Sequence, residues 1–231
     1  MHEVLNKIKS RGYWKVIIRP SKFIEERISD INDCRTIVRD NNVLLRGWDY
    51  PHYDTNSDPI CGLDYVEQFT DWEHHIEGWR FYQSGQFTHY KAISEDWGEE
   101  NSLLKSNSDI PPNEYLSIID TVYLITEICE FASRLASKSV LGDSCQIHIT
   151  LSNTKNRKLF FYDRSRYLSR TYQTILKEIP YSISPSTTEL ISRSNEIALE
   201  HIVWLFKRFN WKSVVPGIFK EDQIKLIERR L

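Results

Sequence analysis

The sequence predicts an α+β protein, a mixed or antiparallel sheet packed against a long central helix and C-terminal helices. Three observations carry that expectation. Cys145, Ile147, Ile149 and Leu151 alternate with polar residues, as do the residues flanking Ser84-Gly85, which is the period of a half-buried strand. Between Asn113 and Ser137 the apolar positions Leu116, Ile119, Val122, Ile125, Ile128, Ala132 and Leu135 cover most of a helical circumference, so that helix is buried on more than one side. Strands and helices also fall in clusters rather than strict alternation, which argues against a parallel α/β sheet.

The elements follow in order. Gly12 precedes YWKVIIRP, an apolar-rich run ended by Pro20, and this reads as a strand. Ile24, Ile28, Ile31, Cys34 and Val38 recur at helical spacing between Ile24 and Asn41. Val43–Trp48 (VLLRGW) reads as a second strand, broken by DYPHYDTNSDP, a loop dense in Pro, Asp and Asn. Short strands around Cys61–Phe69 lead into Asp71–Trp97, where alternation on both sides of Ser84-Gly85 predicts a hairpin with a two-residue turn. That turn sets Tyr82 opposite Phe87, Arg80 opposite His89, Trp79 opposite Tyr90 and Gly78 opposite Lys91. One face then carries Arg80, His89 and Lys91, and the other buries Trp79, Phe81 and Tyr90.

Glu99–Pro112 is polar and ends in two prolines, so it is the best internal boundary within a single domain of residues 1–231. Asn113 is expected to cap the central helix. After the Cys145–Leu151 strand, NTKNR turns the chain and KLFFYD returns as its partner. Thr171–Ile179 forms another strand before a YSISPS loop. Ser186 and Glu189 have capping-box spacing, Asn195–Phe209 is a helix, and Asp222–Leu231 a short helical tail.

Composition narrows the classes. The chain has 231 residues, 13% of them aromatic, with seven tryptophans, enough ring area to fill a core without disulfides. Cys34, Cys61, Cys129 and Cys145 lack any zinc spacing and read as free buried thiols of a reducing compartment. No apolar run approaches the ~20 residues of a membrane span, and the N-terminus lacks the pattern of a signal peptide. A cytoplasmic location, no membrane association and no cofactor are therefore expected. Net charge is −2, but residues 1–110 hold 13 basic and 19 acidic side chains and residues 111–231 hold 17 and 13. Asp40–Glu100 is the extreme, with 13 acids against Arg46, Arg80 and Lys91. Such a surface repels a phosphate backbone, so nucleic acid could meet only the C-terminal half.

Four residue sets could carry chemistry. Asp71, Glu73, His75 and Glu77 share one face if the strand is continuous, with His74 on the other, and could hold a divalent ion for hydrolysis. A solvated polar face explains the same pattern. Arg80, His89 and Lys91 over the gap at Gly78, beside Tyr82, could hold a carboxylate or phosphate. Pairing of Arg80 with Asp96 or Glu73 is the competing account. Arg46, Trp48, Asp49 and His52 in RGWDYPH sit at a strand end, where binding loops occur. Arg164, Arg166 and Arg170 interleave with tyrosines as in single-stranded nucleic-acid sites. No Gly-rich phosphate loop or nucleophile elbow is present.

GYWKVIIRP, LLRGWDYPH, DWEHHIEGWRFYQSGQF and ALEHIVWLFKRFNW together resemble a bacterial family of unassigned activity, found alone or attached to AlbA-type, Schlafen-like domains associated with DNA binding. The resemblance covers most of the chain and brings no catalytic residues. It implies an intracellular bacterial module that works beside a nucleic-acid or nucleotide-handling partner, although nothing in this chain reads as the AlbA-type domain itself. The expectation is a non-catalytic binding or regulatory module for a partner protein or small anionic ligand, with Arg46, Trp48, His52, Arg80, Tyr82 and His89 as its ligand-binding residues. A metal-dependent hydrolase or nuclease using Asp71–Glu77, nucleic-acid binding through Arg164–Arg170, and a homodimer contact through the aromatic residues stay open.

Overall fold

The computed structural model describes residues 3–73, 75–100, 111–163 and 165–230. The elements run α1 (Glu3–Ser10), β1 (Tyr13–Pro20), α2 (Ile31–Asn41), β2 (Ile60–Cys61), β3 (Tyr65–Trp72), β4 (His75–Tyr82) and β5 (Phe87–Ala92). A 3-10 turn at Ser94–Glu100 follows, then β6 (Tyr115–Ser117), α3 (Ile118–Ser137), β7 (Cys145–Ser152), β8 (Lys158–Phe160), β9 (Glu178–Ile183), α4 (Thr187–Lys207) and α5 (Pro216–Ile227). Seven strands form one sheet in the order β2-β3-β4-β5-β1-β7-β9, every neighbouring pair antiparallel. The fold is α+β, with α3 as the central helix.

Strand alternation decides which side chains meet α3. Trp14, Val16 and Ile18 of β1, Trp79 and Phe81 of β4, Phe87 of β5 and Ile147, Ile149 and Leu151 of β7 enter one core with Val122, Ile125, Ile128, Phe131 and Leu135 of α3. That core continues into Ile202, Leu205 and Phe206 of α4 and Phe219 of α5. On the opposite face α1 lays Ile8 against Ile76, Ala92 and Trp97. Residues 101–110, the heart of the expected boundary, lie outside the described residues, as do His74 and Arg164.

Several expectations need correction. The hairpin turn contains three residues, not two: Tyr82 N donates to Gln86 O and Gly85 N to Tyr82 O, both at 2.9 Å, with Gly85 at φ +83°. A three-residue loop with a left-handed glycine changes the register by one. Trp79 therefore faces His89, Arg80 faces Thr88 and Glu77 faces Lys91. Because side chains alternate, a one-residue slip moves each residue to the other face relative to its partner strand. Arg80 and His89 are on opposite sides of the sheet.

The Asp71–Glu77 strand is likewise interrupted. Trp72 pairs with His75 across a turn in which Glu73 takes φ +50°, and Asp71 faces Ile76. Asp71 thus points to the α1 side, where Lys7 Nζ reaches it at 2.8 Å, while Glu77 points to α3. Val43–Trp48 is a loop closed by one bridge between Val43 and Tyr50. The helix expected from Ile24 begins at Ile31, capped by Asp30. Ser117 rather than Asn113 caps α3. KLF of β8 pairs in parallel with β6, and Tyr181–Ile183, expected within the YSISPS loop, belong to β9, which pairs with β7. The Thr171–Ile179 stretch contributes only a bridge at Gln173 and the start of β9. Ser186 does cap α4, accepting from Glu189 N. Three cysteines are buried and Cys61 is exposed. No helix among the described residues is long and apolar enough to cross a membrane.

Candidate aromatic and charged site around Glu77

The sheet face toward α3 buries one carboxylate, Glu77, at 1% exposure. Its environment follows from the register: Lys91 is its cross-strand partner and His89 sits two residues along on the same face. Glu77 Oε1 accepts from Trp48 Nε1 at 2.9 Å and from Lys91 Nζ. Oε2 accepts from His89 Nε2 at 2.9 Å and from the backbone N–H of His52 at 3.2 Å. Burial opposes the charge, yet Lys91 and the His89 hydrogen bond outweigh it and hold the carboxyl well below the usual carboxylate range. Burial pushes the His89 imidazole down despite Glu77, so it stays neutral with its proton on Nε2. Its Nδ1 and the hydroxyl of nearby Tyr50 are buried without a protein partner.

Two of these four donors, Trp48 Nε1 and the His52 N–H, come from the Arg46–Tyr53 loop and pin it to the sheet. Trp79 Nε1 adds a bond to His52 O at 2.8 Å, and His52 Nδ1 meets Asp49 Oδ1 at 2.6 Å. Above this anchor the rings pile up. Trp48 stacks with His52 at 4.0 Å and with His75 at 3.9 Å and 8°, and Trp72 lies 5.6 Å from it. Trp72 remains 60% exposed, so the stack ends at the surface.

Arg46 closes the other side. Its Nε and Nη2 reach the two oxygens of Glu127, each at 2.9 Å, and Nη1 reaches Asp120 at 3.2 Å. Burial raises the Glu127 carboxyl above its ordinary value although Arg46 opposes the shift. Glu127 and Asp120 come from one face of α3, seven residues apart, which is two helical turns. Together the cluster is a buried charge network under an aromatic rim.

Arg46, Trp48, His52 and His89 of the expected residues meet here. Arg80 and Tyr82 do not: on the far face Arg80 donates to Glu67 at 2.9 and 2.6 Å, sits 4.0 Å over the Tyr65 ring and reaches Tyr82 Oη at 3.3 Å. Asp96, one of the two acids expected to pair with it, is engaged otherwise. Asp96 is forked by fully buried Arg157 at 2.9 and 2.6 Å, and it also accepts from the N–H groups of Gly12 and Asn113. Arg166 is forked to Asp222, and Arg170 lies over the Tyr172 ring. Among the described residues no group of three or more His, Cys, Asp or Glu side chains is arranged to hold a metal ion.

Sequence reasoning missed Glu127 and the central place of Glu77. A signal for Glu127 existed, since with Asp120 and Glu130 it is one of three carboxylates set among the apolar positions of the central helix. Glu77 stood in an acidic run that the turn at Glu73 divides between two faces. Comparison with protein-family models, curated proteins and solved structures gave no match.

Proposed function

We propose that the chain is a non-catalytic binding or regulatory module that recognises a partner protein through the Trp72–Trp48 rim. One observation carries this: a saturated carboxylate, Glu77, fixes the loop that holds Trp48, while Trp72 above it stays 60% exposed. A partly exposed tryptophan stacked on neighbouring rings has the composition of an interface anchor, because its contact area is presented at little entropic cost. A small anion suits the site less well, since Arg46 and Lys91 already face carboxylates. The resemblance to a bacterial family found beside AlbA-type domains suits an intracellular module of this kind.

Capture experiments with the immobilised chain and an extract of its source cells test the proposal. Wild type and Arg80→Ala should retain the same specific protein, and Trp72→Ala should lose at least about tenfold of it, as expected for an interface anchor. Equal capture by Trp72→Ala would remove the rim from recognition.

A further inference from the structure

We propose that two copies of this chain form a symmetric dimer through the end of the sheet that carries the β4–β5 turn. The backbone shows what gathers there. Gln83 in that turn accepts from Ile28 N and donates to Asp64 O, so the 21–30 and 62–65 segments flank it. Ser21 N bonds Ser144 O and Thr187 N bonds Asp143 O, which brings the start of α4 to the same end. Phe206 packs on Phe219 at 5.1 Å and Gln223 Nε2 bonds Asn195 O, so α4 and α5 run antiparallel. The C-terminal turn of α5 therefore lies beside the N-terminal turns of α4.

Two exposed apolar groups result. The 21–30 and 62–65 segments carry Leu63, at 95% exposure, Phe23 at 76% and Ile24. On the helix side are Ile191, Ile224 and Ile227. Large apolar side chains gathered on one end mark an interaction surface more often than scattered single ones do.

Charge points to the occupant. Exposed Glu25, Glu26 and Asp64 border the first group, against exposed Lys22 and half-buried Arg27. Around the second group stand exposed Lys220, Lys225 and Arg229. Residues 220–230 hold Lys220, Lys225, Arg229 and Arg230 against Glu221, Asp222 and Glu228, and Asp222 and Glu228 are themselves paired with Arg166 and Arg230. One molecule thus offers an acidic apolar patch and a basic apolar patch at the same end. A two-fold axis through that end sets each patch against its opposite twice, and two-fold closure is the commonest symmetry of soluble oligomers.

Sedimentation equilibrium of the 231-residue chain tests the proposal, with circular dichroism reporting the fold of each variant. Wild type should reach twice 27.4 kDa at low salt, and about 0.5 M NaCl should weaken association by about tenfold through screening. Glu25→Lys with Glu26→Lys, and separately Lys220→Glu with Arg229→Glu, should each be folded monomers. Mixed together they should form a one-to-one dimer, because each reversed patch then meets its complement in the other chain. A wild type that stays monomeric at high concentration overturns the proposal. So do a mixture that does not reassociate, species larger than two, or binding of the monomer to acidic lipid vesicles without self-association. All four charged positions lie outside the Glu77 cluster, so failure here leaves the Trp72 rim untouched.

Discussion

Replacing His201 should flatten the acid limb of the stability curve. His201 lies on α4 facing β9, 2% exposed, with its ring parallel to Tyr181 at 4.0 Å and Nδ1 without a protein partner. Burial pushes its pKa down from 6.5 to about 3. The folded state thus refuses a proton that the unfolded chain accepts below about pH 6.5, so stability is full above that pH and falls as pH drops toward 3. At about 1.4 kcal/mol per pH unit, the loss from this group is about 2.7 kcal/mol at pH 4.5. Other groups also titrate in that range, so the informative quantity is the difference between wild type and His201→Phe. Phenylalanine keeps the stacked ring on Tyr181 and cannot be protonated. Urea unfolding followed by tryptophan fluorescence at pH 7 and pH 4.5 gives both values. Wild type should lose about 2 to 3 kcal/mol more than the variant between those two pH values. Parallel losses would show that His201 takes up its proton without unfolding, and the reasoning from its burial would be refuted.

Three further outcomes are expected. Glu77→Gln puts an amide N–H against donors and leaves Lys91 without its counter-charge, which should cost about 3 to 5 kcal/mol in chemical denaturation; a change under 1 kcal/mol would mean the network is not held as described. Burial, with Asp120 nearby, raises the Glu95 carboxyl to about 7. Its folded pKa exceeds the unfolded one, so its contribution is present at acid pH and is lost as pH rises through about 7. Glu95→Gln should therefore stabilise the protein at pH 8 relative to pH 5, by about 1 to 3 kcal/mol, and thermal melts at the two pH values would show it. Arg80→Ala removes a partly exposed ion pair and should cost no more than about 1 kcal/mol by urea titration. A loss of several kcal/mol would place Arg80 in a buried network that the register does not allow.

Elements whose signal is local were legible before any coordinates. Trp14, Val16 and Ile18 in β1, the alternation of β7, the apolar girth of α3 and the Ser186 cap each depend on residues within one turn or one strand. The α+β class follows from them, because a helix apolar on several sides and half-buried strands must cover one another.

The site was legible as residue types and not as geometry. Arg46, Trp48, His52 and His89 were identifiable as unusual, but their meeting point at Glu77 depends on a register that the loop sets, three residues instead of two. Sequence alternation reports that a strand has two faces and is silent on which residue stands opposite which. Only tertiary structure decided that Arg80 faces Glu67 on the α1 side while His89 faces α3, since a single added loop residue exchanges the faces across the whole hairpin. The same holds for Arg157 and Asp96, 61 residues apart, whose pairing no local pattern announces. Periodicity is written along the chain, whereas contact between distant charges is settled by how the layers close.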